Sequence, residues 1–258
     1  MAATPEYHFI GTYTRYSSWT ARVELILDYF QIPYTKQFVP LEKVRDVSIS
    51  GLVPLLKSHT LNITINDSLA IAEHLAESNP DLPLWPRDPA LRALARSAAA
   101  EMHSGFATLR NTFHTNFVTH YVGEIPVSEA AKKEIARALS IWDSARKATV
   151  KRLAEIGEES SDKGFLFGGF SIADAFFWPV LWRFRSYNLP LDGATTEALQ
   201  WIETMWNDPE IRTAIHWYYQ QAEDPETHIA KYTGQFAEYG VKEERFPEDW
   251  AFRAAEAE

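Results

Sequence analysis

The 258-residue chain contains no cysteine. That absence excludes a disulfide framework and any thiolate zinc site. It also excludes redox or nucleophilic steps that run through a protein thiolate, so thiol chemistry here needs a thiol carried in by a ligand. Positive charge is scarce as well: 25 Lys and Arg stand against 35 Asp and Glu, a formal net charge of -10. Nucleic acid and anionic membrane surfaces both select basic patches, so neither is an expected partner. No run of about 18 apolar residues exists, so no membrane-spanning helix is expected. Met1–Ile10 lacks the basic-then-apolar order of a secretory signal. A cytoplasmic protein is the expectation. His114 and His120 have no credible ligand set around them, and no metal is expected.

The richest local signal lies between Tyr16 and Phe30. A short apolar strand, His8–Tyr13, runs into a turn that delivers Ser17 and Ser18 to the start of a helix. Trp19, Val23, Ile26, Leu27 and Phe30 recur at helical spacing, and Pro33 ends the run. A helix start offers unpaired N–H groups and the positive end of the macrodipole, which together favour an anion. Serine is also a preferred N-cap, so these residues alone leave capping and ligand binding both open. Tyr34–Val39 reads as the next strand, parallel to the first through a right-handed crossover. Pro54 stands at the entrance of a strand that forms a hairpin with Ile63–Asn66. Asp67 or Ser68 caps a further helix with an apolar face of Leu69, Ala72 and Leu75.

Four prolines between Asn79 and Pro89 mark a linker. Strand signals nearly vanish beyond it. Helical runs cover Ala90 to about Tyr121, Ser128–Ile156, Thr195–Trp206 and Pro209–Glu223. Ser171-Ile172-Ala173-Asp174 opens a helix that is apolar on every side, hence buried. The aperiodic 224–258 segment is expected to be a tail packed partly on the surface. The expected architecture is an α/β domain at 1–78, a linker at 79–89, an all-helical domain at 90–223 and an extension at 224–258.

The order of these motifs resembles a cytosolic glutathione transferase of the serine type, closest to the zeta class and to related bacterial and fungal members. Ser17-Ser18-Trp19-Thr20-Ala21-Arg22-Val23 resembles the zeta serine motif. Val53-Pro54 resembles the cis-proline pair, and Asp67-Ser68-Leu69-Ala70-Ile71 the acidic-serine motif. Gly169–Asp174 resembles the capping box of the family's central helix, and Glu101–Phe106 a signature of bacterial members. The resemblance implies a thioredoxin-like domain followed by an all-helical one, with glutathione as co-substrate. It implies that Ser17 or Ser18 donates to the glutathione thiolate, and that Trp19, Val53, Pro54, Asp67 and Ser68 hold the tripeptide. Ser68 suits its γ-glutamyl carboxylate, Asp67 its ammonium and the Val53 backbone its cysteinyl unit.

A second-substrate pocket is implied between the domains, with Tyr16, His103, Phe106, Arg110, Trp182 and Arg185 as candidates. In zeta isomerases an arginine of the central helix binds the substrate's acid group, and Arg183 and Arg185 lie near that place. The implied activity is attack of the thiolate on a small electrophile, giving conjugation or cis–trans isomerisation, in a homodimer. The alternative is a non-catalytic ligand-binding or scaffold protein of the same fold.

Overall fold

A computed structural model of the chain describes residues 5–254. Four strands form one mixed sheet in the order β2 (Tyr34–Phe38), β1 (Tyr7–Gly11), β3 (Leu55–Ser58), β4 (Ile63–Asn66). β1 runs parallel to β2, with Tyr7 opposite Tyr34 and Gly11 opposite Phe38. It runs antiparallel to β3, and β3 and β4 pair as the expected hairpin. Helices α1 (Ser18–Tyr29) and α3 (Ser68–Ser78) bury Val23, Ile26, Leu27, Ile71 and Leu75 against one face of this sheet. Ile10 and Leu55 point to the other face and meet Val39 and Val44, the latter opening the short helix α2 (Val44–Val47). Gly11 ends β1 where α1 comes closest. A Cβ at that position would lie 2.4 Å from the Thr20 methyl group.

The second half is built on α4 (Pro89–Ser104), α5 (Ala107–Thr112), α6 (Glu129–Ile156), α7 (Ile172–Ser186), α8 (Thr196–Asn207) and α9 (Pro209–Glu223). Every residue of α7 is buried, as its all-round apolar sequence requires. Its start is fixed by Asp174, whose carboxylate accepts from the backbone N–H groups of Leu166 and Ser171, the Ser171 hydroxyl and the Trp201 indole. Burial pushes that carboxyl up to about 6 against these four donors. α7 packs on both α1 and α4, so it joins the two halves. Among the described residues, no helix is long and apolar enough to cross a membrane.

Two features depart from the sequence reading. The helical run after Ala90 breaks at Gly105 and Phe106, where Phe106 takes a left-handed conformation (φ 57). A short strand, β5 (Thr119–Val122), then pairs antiparallel with β6 (Lys242–Arg245). The C-terminal segment is therefore stitched into the helical half rather than laid loosely on it. β6 is charged and exposed along its length, so its sequence carries no strand periodicity.

α1 also carries an acidic pair against the sheet. Glu24 accepts from the Thr14 hydroxyl and pairs with Lys36 at 2.9 Å, and Asp28 accepts from the Tyr34 hydroxyl. Burial, with Glu24 one turn away, pushes the Asp28 carboxyl up to about 6 from 3.8. The folded state thus holds the Asp28 proton more tightly than the unfolded chain. The associated stability is complete below about pH 3.8 and is lost as pH rises through about 6. Asp28→Asn keeps an acceptor for Tyr34 and removes this loss. It should stabilise the protein at pH 8 by on the order of 2 kcal/mol and leave pH 3.5 unchanged, read by urea denaturation at both values.

Candidate active site

Ser17 is the N-cap of α1, in extended backbone between a 3-10 turn, Thr14–Tyr16, and the helix. Its hydroxyl oxygen accepts from the Thr20 backbone N–H at 3.2 Å and from the Thr20 hydroxyl at 2.9 Å. With both acceptor positions filled, what the hydroxyl has left to offer is its proton. Ser18 is the first helical residue. The N–H groups of this first turn have no partner inside the helix. Both serines, with Trp19, line a cleft between the two halves of the chain.

On one side of Trp19 the cleft forms a compartment of about 330 Å³, walled by Val53, Pro54, Asp67, Ser68, His103 and Arg110. The Val53–Pro54 peptide bond is cis. The β3 ladder begins at Leu55, two residues beyond Val53. Asp67 holds φ +75 and ψ 127, a conformation that costs a non-glycine residue on the order of 1–3 kcal/mol. Its Oδ1 caps α3 by accepting from Leu69 and Ala70, while Oδ2 meets His103 Nε2 at 3.1 Å. The Ser68 hydroxyl is buried and has no partner in the protein. An orphaned hydroxyl at a helix start, beside a strained carboxylate, fits a zwitterionic ligand end.

On the other side of Trp19 lies a compartment of about 270 Å³, reaching Tyr16, Arg110, His114, Arg183 and Tyr232. Arg183 donates to the Phe113 and Pro179 carbonyls and to the Thr115 hydroxyl. Burial pushes its guanidinium down to about 10, and the charge has no carboxylate among these partners. Burial and the neighbouring Arg183 hold His114 below the usual imidazole range, so it is neutral at pH 7. Tyr232 stacks on Tyr16 with ring centres 5.3 Å apart, and His228 Nδ1 lies 3.4 Å from the Tyr16 hydroxyl.

Behind the serine turn sits Arg22, fully buried. It donates to the Phe176 carbonyl of α7, the Ser18 carbonyl of its own turn and the Met102 sulfur of α4. Its guanidinium lies 4.4 Å from the centre of the Trp19 ring, and Arg110 approaches the same ring at 4.9 Å. Burial, then the like charges of Arg183 and Arg110, depresses the Arg22 pKa. Three guanidinium groups thus surround one serine turn, which makes it a place for an anion.

Family models agree with this geometry. The glutathione S-transferase N-terminal domain matches residues 16–78 and the C-terminal domain matches 125–206. A maleylacetoacetate isomerase of Mus musculus is 30% identical over 157 residues, 56% of this chain and 67% of that protein. The chain belongs to the glutathione transferase family. A probable maleylacetoacetate isomerase of Caenorhabditis elegans is 35% identical over 100 residues; that match spans 36% of this chain and less than half, 45%, of the relative. A Burkholderia glutathione transferase homolog, solved with bound glutathione, superposes with a TM-score of 0.61 at 23% identity, covering 84% of this chain and 100% of that one. The nitrogen regulation fragment of the yeast prion protein Ure2p superposes at 0.59 and 18% identity, covering 83% and 97%. These two share the transferase fold.

Within this transferase fold the candidate residues divide. Tyr16, Ser17, Ser18, Trp19, Val53, Pro54, Asp67, Ser68, His103 and Arg110 all line the cleft. His103 stands on the Asp67 side of Trp19, not in the compartment with Tyr16 and Arg183. Phe106 does not line the cleft: its left-handed backbone turns the ring into the core against Phe177. Trp182 is buried in an aromatic cluster with Trp178 and Trp206. Arg185 leaves the cleft as well. Residues two apart on a helix point about 200° from one another, so when α7 turns Arg183 toward the serines it turns Arg185 away. Sequence reading missed Arg22, Asn111, Thr115, Ile229 and Tyr232. Ile229 and Tyr232 come from the C-terminal segment, for which no local signal existed.

Proposed function

We propose that the cleft binds glutathione and sets its sulfur, as thiolate, against a small electrophile that carries a carboxylate. The observation that carries this reading is the Ser17 hydroxyl. Thr20 occupies its oxygen twice, and the proton is left for a group in the cleft. A free thiol has a pKa of about 8.5, so a neutral cleft would hold it mostly protonated. Donation from Ser17, the α1 dipole and the guanidinium groups of Arg22, Arg110 and Arg183 all favour the ionised sulfur. Ser68 and the α3 start receive the γ-glutamyl carboxylate, Asp67 its ammonium, and Val53 the cysteinyl backbone. Residues 1–78 form the glutathione domain in this reading, joined through 79–89 to the helical domain at 90–223 and the extension at 224–258.

The second compartment supports the choice of electrophile. Arg183 offers a buried positive charge there, and Arg110 shares the wall. A substrate carboxylate held at Arg183 would present an activated double bond to the sulfur. The thiolate adds to one carbon of that bond, and the electron pair moves to the conjugated carbonyl oxygen as an enolate. The former double bond is now single and rotates. Collapse of the enolate expels the thiolate and leaves the isomerised product, with no net change in atoms. Protonation of the enolate instead gives the conjugate. The relatives named maleylacetoacetate isomerase support the first outcome. A cytoplasmic homodimer completes the proposal; the exposed apolar side chains of Leu61, Ile63 and Leu94 support the association of two chains.

Ser17→Ala should cut turnover by about 10–100-fold, the worth of one hydrogen bond to a charged group. Its KM for glutathione should stay nearly constant, and the rising limb of its pH–rate profile should move to higher pH. A mutant with wild-type turnover and an unmoved profile would remove Ser17 from the reaction. Methyl esterification of an acidic electrophile should lower kcat/KM by about 10-fold or more through loss of the charge-assisted contact to Arg183. Equal rates for acid and ester would place the carboxylate elsewhere. Sedimentation equilibrium at micromolar concentration should return twice the chain mass, and a single chain mass would exclude the homodimer.

A further inference from the structure

His114 lines the same compartment as Tyr16, Arg183 and Tyr232. Its place is fixed from α7 at three successive residues. Arg183 donates to the Phe113 carbonyl at 2.7 Å and to the Thr115 hydroxyl at 3.0 Å, and the Tyr187 hydroxyl donates to the carbonyl of His114 itself at 2.6 Å. Three residues on, the Phe117 N–H donates to the Arg15 carbonyl, which ties the same stretch to the serine turn. The backbone is thus held and the half-buried imidazole is what remains for the compartment. Its ring leans on Tyr232, with ring centres 5.6 Å apart. Among the described residues nothing hydrogen-bonds that ring, so neither nitrogen is committed.

The charged groups that face His114 are cations. Arg183 approaches from α7 and Lys231 from the C-terminal segment, and Arg110 of α5 shares the wall. Its other titratable neighbours are Tyr16 of the serine turn and Tyr232, with His228 behind Tyr16. Beside an unanswered guanidinium, an imidazole takes up a proton reluctantly. A substrate carboxylate at Arg183 answers that charge, so the basicity of His114 rises when the substrate is in place.

The two outcomes of addition differ in their protons. Isomerisation expels the thiolate, which serves the next substrate, and no proton has to move. Conjugation consumes a fresh thiol in every turnover: the sulfur must lose a proton and the enolate carbon must gain one. The Ser17 hydroxyl proton is directed to the sulfur, whereas an uncommitted imidazole both accepts and donates.

We propose that His114 is a further catalytic residue, the proton carrier of conjugation: a ring nitrogen takes the proton of the thiol and passes it to the carbon beside the carbonyl as the carbon–sulfur bond forms. The role rests on the thiolate chemistry proposed above. The S–H bond and the π bond break, one C–S and one C–H bond form, and the imidazole ends neutral as it began.

The test uses the full chain with glutathione and cis-β-acetylacrylate, a carboxylate with a ketone-activated double bond. NMR reads the trans isomer and the thioether adduct separately. The Arg183 and Tyr187 contacts do not involve the imidazole, so His114→Gln should keep the fold. It should lower adduct formation by about 100-fold, the usual worth of a general acid–base residue, and isomerisation far less, so the ratio of adduct to isomer falls by at least about 10-fold. Imidazole added to His114→Ala should restore adduct formation. In heavy water the wild-type adduct should carry deuterium on one face of the carbon beside the carbonyl, and the His114→Gln adduct on both. A further readout needs no turnover. The His114 ring signal, assigned by its loss in His114→Gln, should titrate at higher pH with saturating levulinate, the saturated keto acid, and stay in place with uncharged butanone. An unchanged ratio of adduct to isomer, no rescue by imidazole, or a titration that levulinate leaves in place would overturn the assignment, as would a wild type that forms isomer and no adduct. A wild type that forms neither product with glutathione would overturn the thiolate chemistry itself, and this role with it.

Discussion

Arg22 is the constraint on which the rest of the molecule turns. A fully buried guanidinium must place five N–H donors, and here they reach a carbonyl of α7, a carbonyl of the serine turn and a sulfur of α4. Hydrogen bonds of this kind satisfy donors without neutralising charge. The positive charge therefore persists in a low-dielectric interior, where its field is screened far less than in water. Two consequences follow from one side chain. The N-terminal turn of α1 is locked to helices of the other half, so the serines face the cleft in a fixed geometry. The same charge lies 4.4 Å from the centre of the Trp19 ring and adds to those of Arg110 and Arg183. A net charge of -10 over the whole chain thus coexists with a positive cleft.

Capping and chemistry are often treated as competing explanations of a serine at a helix start. Ser17 shows that they use different parts of the same group. The cap uses the oxygen's lone pairs, which Thr20 fills twice, and any service to a ligand uses the hydrogen. Asp67 divides its labour in the same way. One carboxylate oxygen fixes α3 while the other faces His103 across the cleft. Its positive φ is the strain that this double attachment sustains, and the next residue, Ser68, has its hydroxyl buried with no partner in the protein.

What the sequence disclosed was whatever is encoded locally. The strands of the sheet, the Asp67 cap, the Ser171–Asp174 box and the proline-rich break each arise from residues within a few positions of one another. β6 was invisible because its partner β5 lies more than a hundred residues earlier, and because four exposed charged residues show no alternation. That Arg183 faces the cleft and Arg185 does not has a different cause. Periodicity tells which side of a helix is wet, but α7 has no wet side, so its rotation is set by packing on α1 and α4 alone. Trp182 was misplaced for the same reason. Phe106 was lost because its own backbone is left-handed, directly after the Gly105 cap of α4.

The C-terminal segment then takes on a larger part than a tail. Tyr232 closes the serine compartment against Tyr16, and fewer than twenty residues later Phe246 and Trp250 close a second cavity, behind α7, against Arg185. Between them β6 is pinned to β5. Helix α7 presents Arg183 to one compartment and Arg185 to the other, and the segment supplies a wall to each. A displacement of α7 along its axis would therefore alter both arginines together. Neither compartment can be rebuilt by substitution on α7 alone, because the opposing surface belongs to a strap whose position is fixed by α9 and β5. The shape of the cleft and the volume behind it are accordingly properties of one packed unit, α7 with its strap, and not of the serine turn alone.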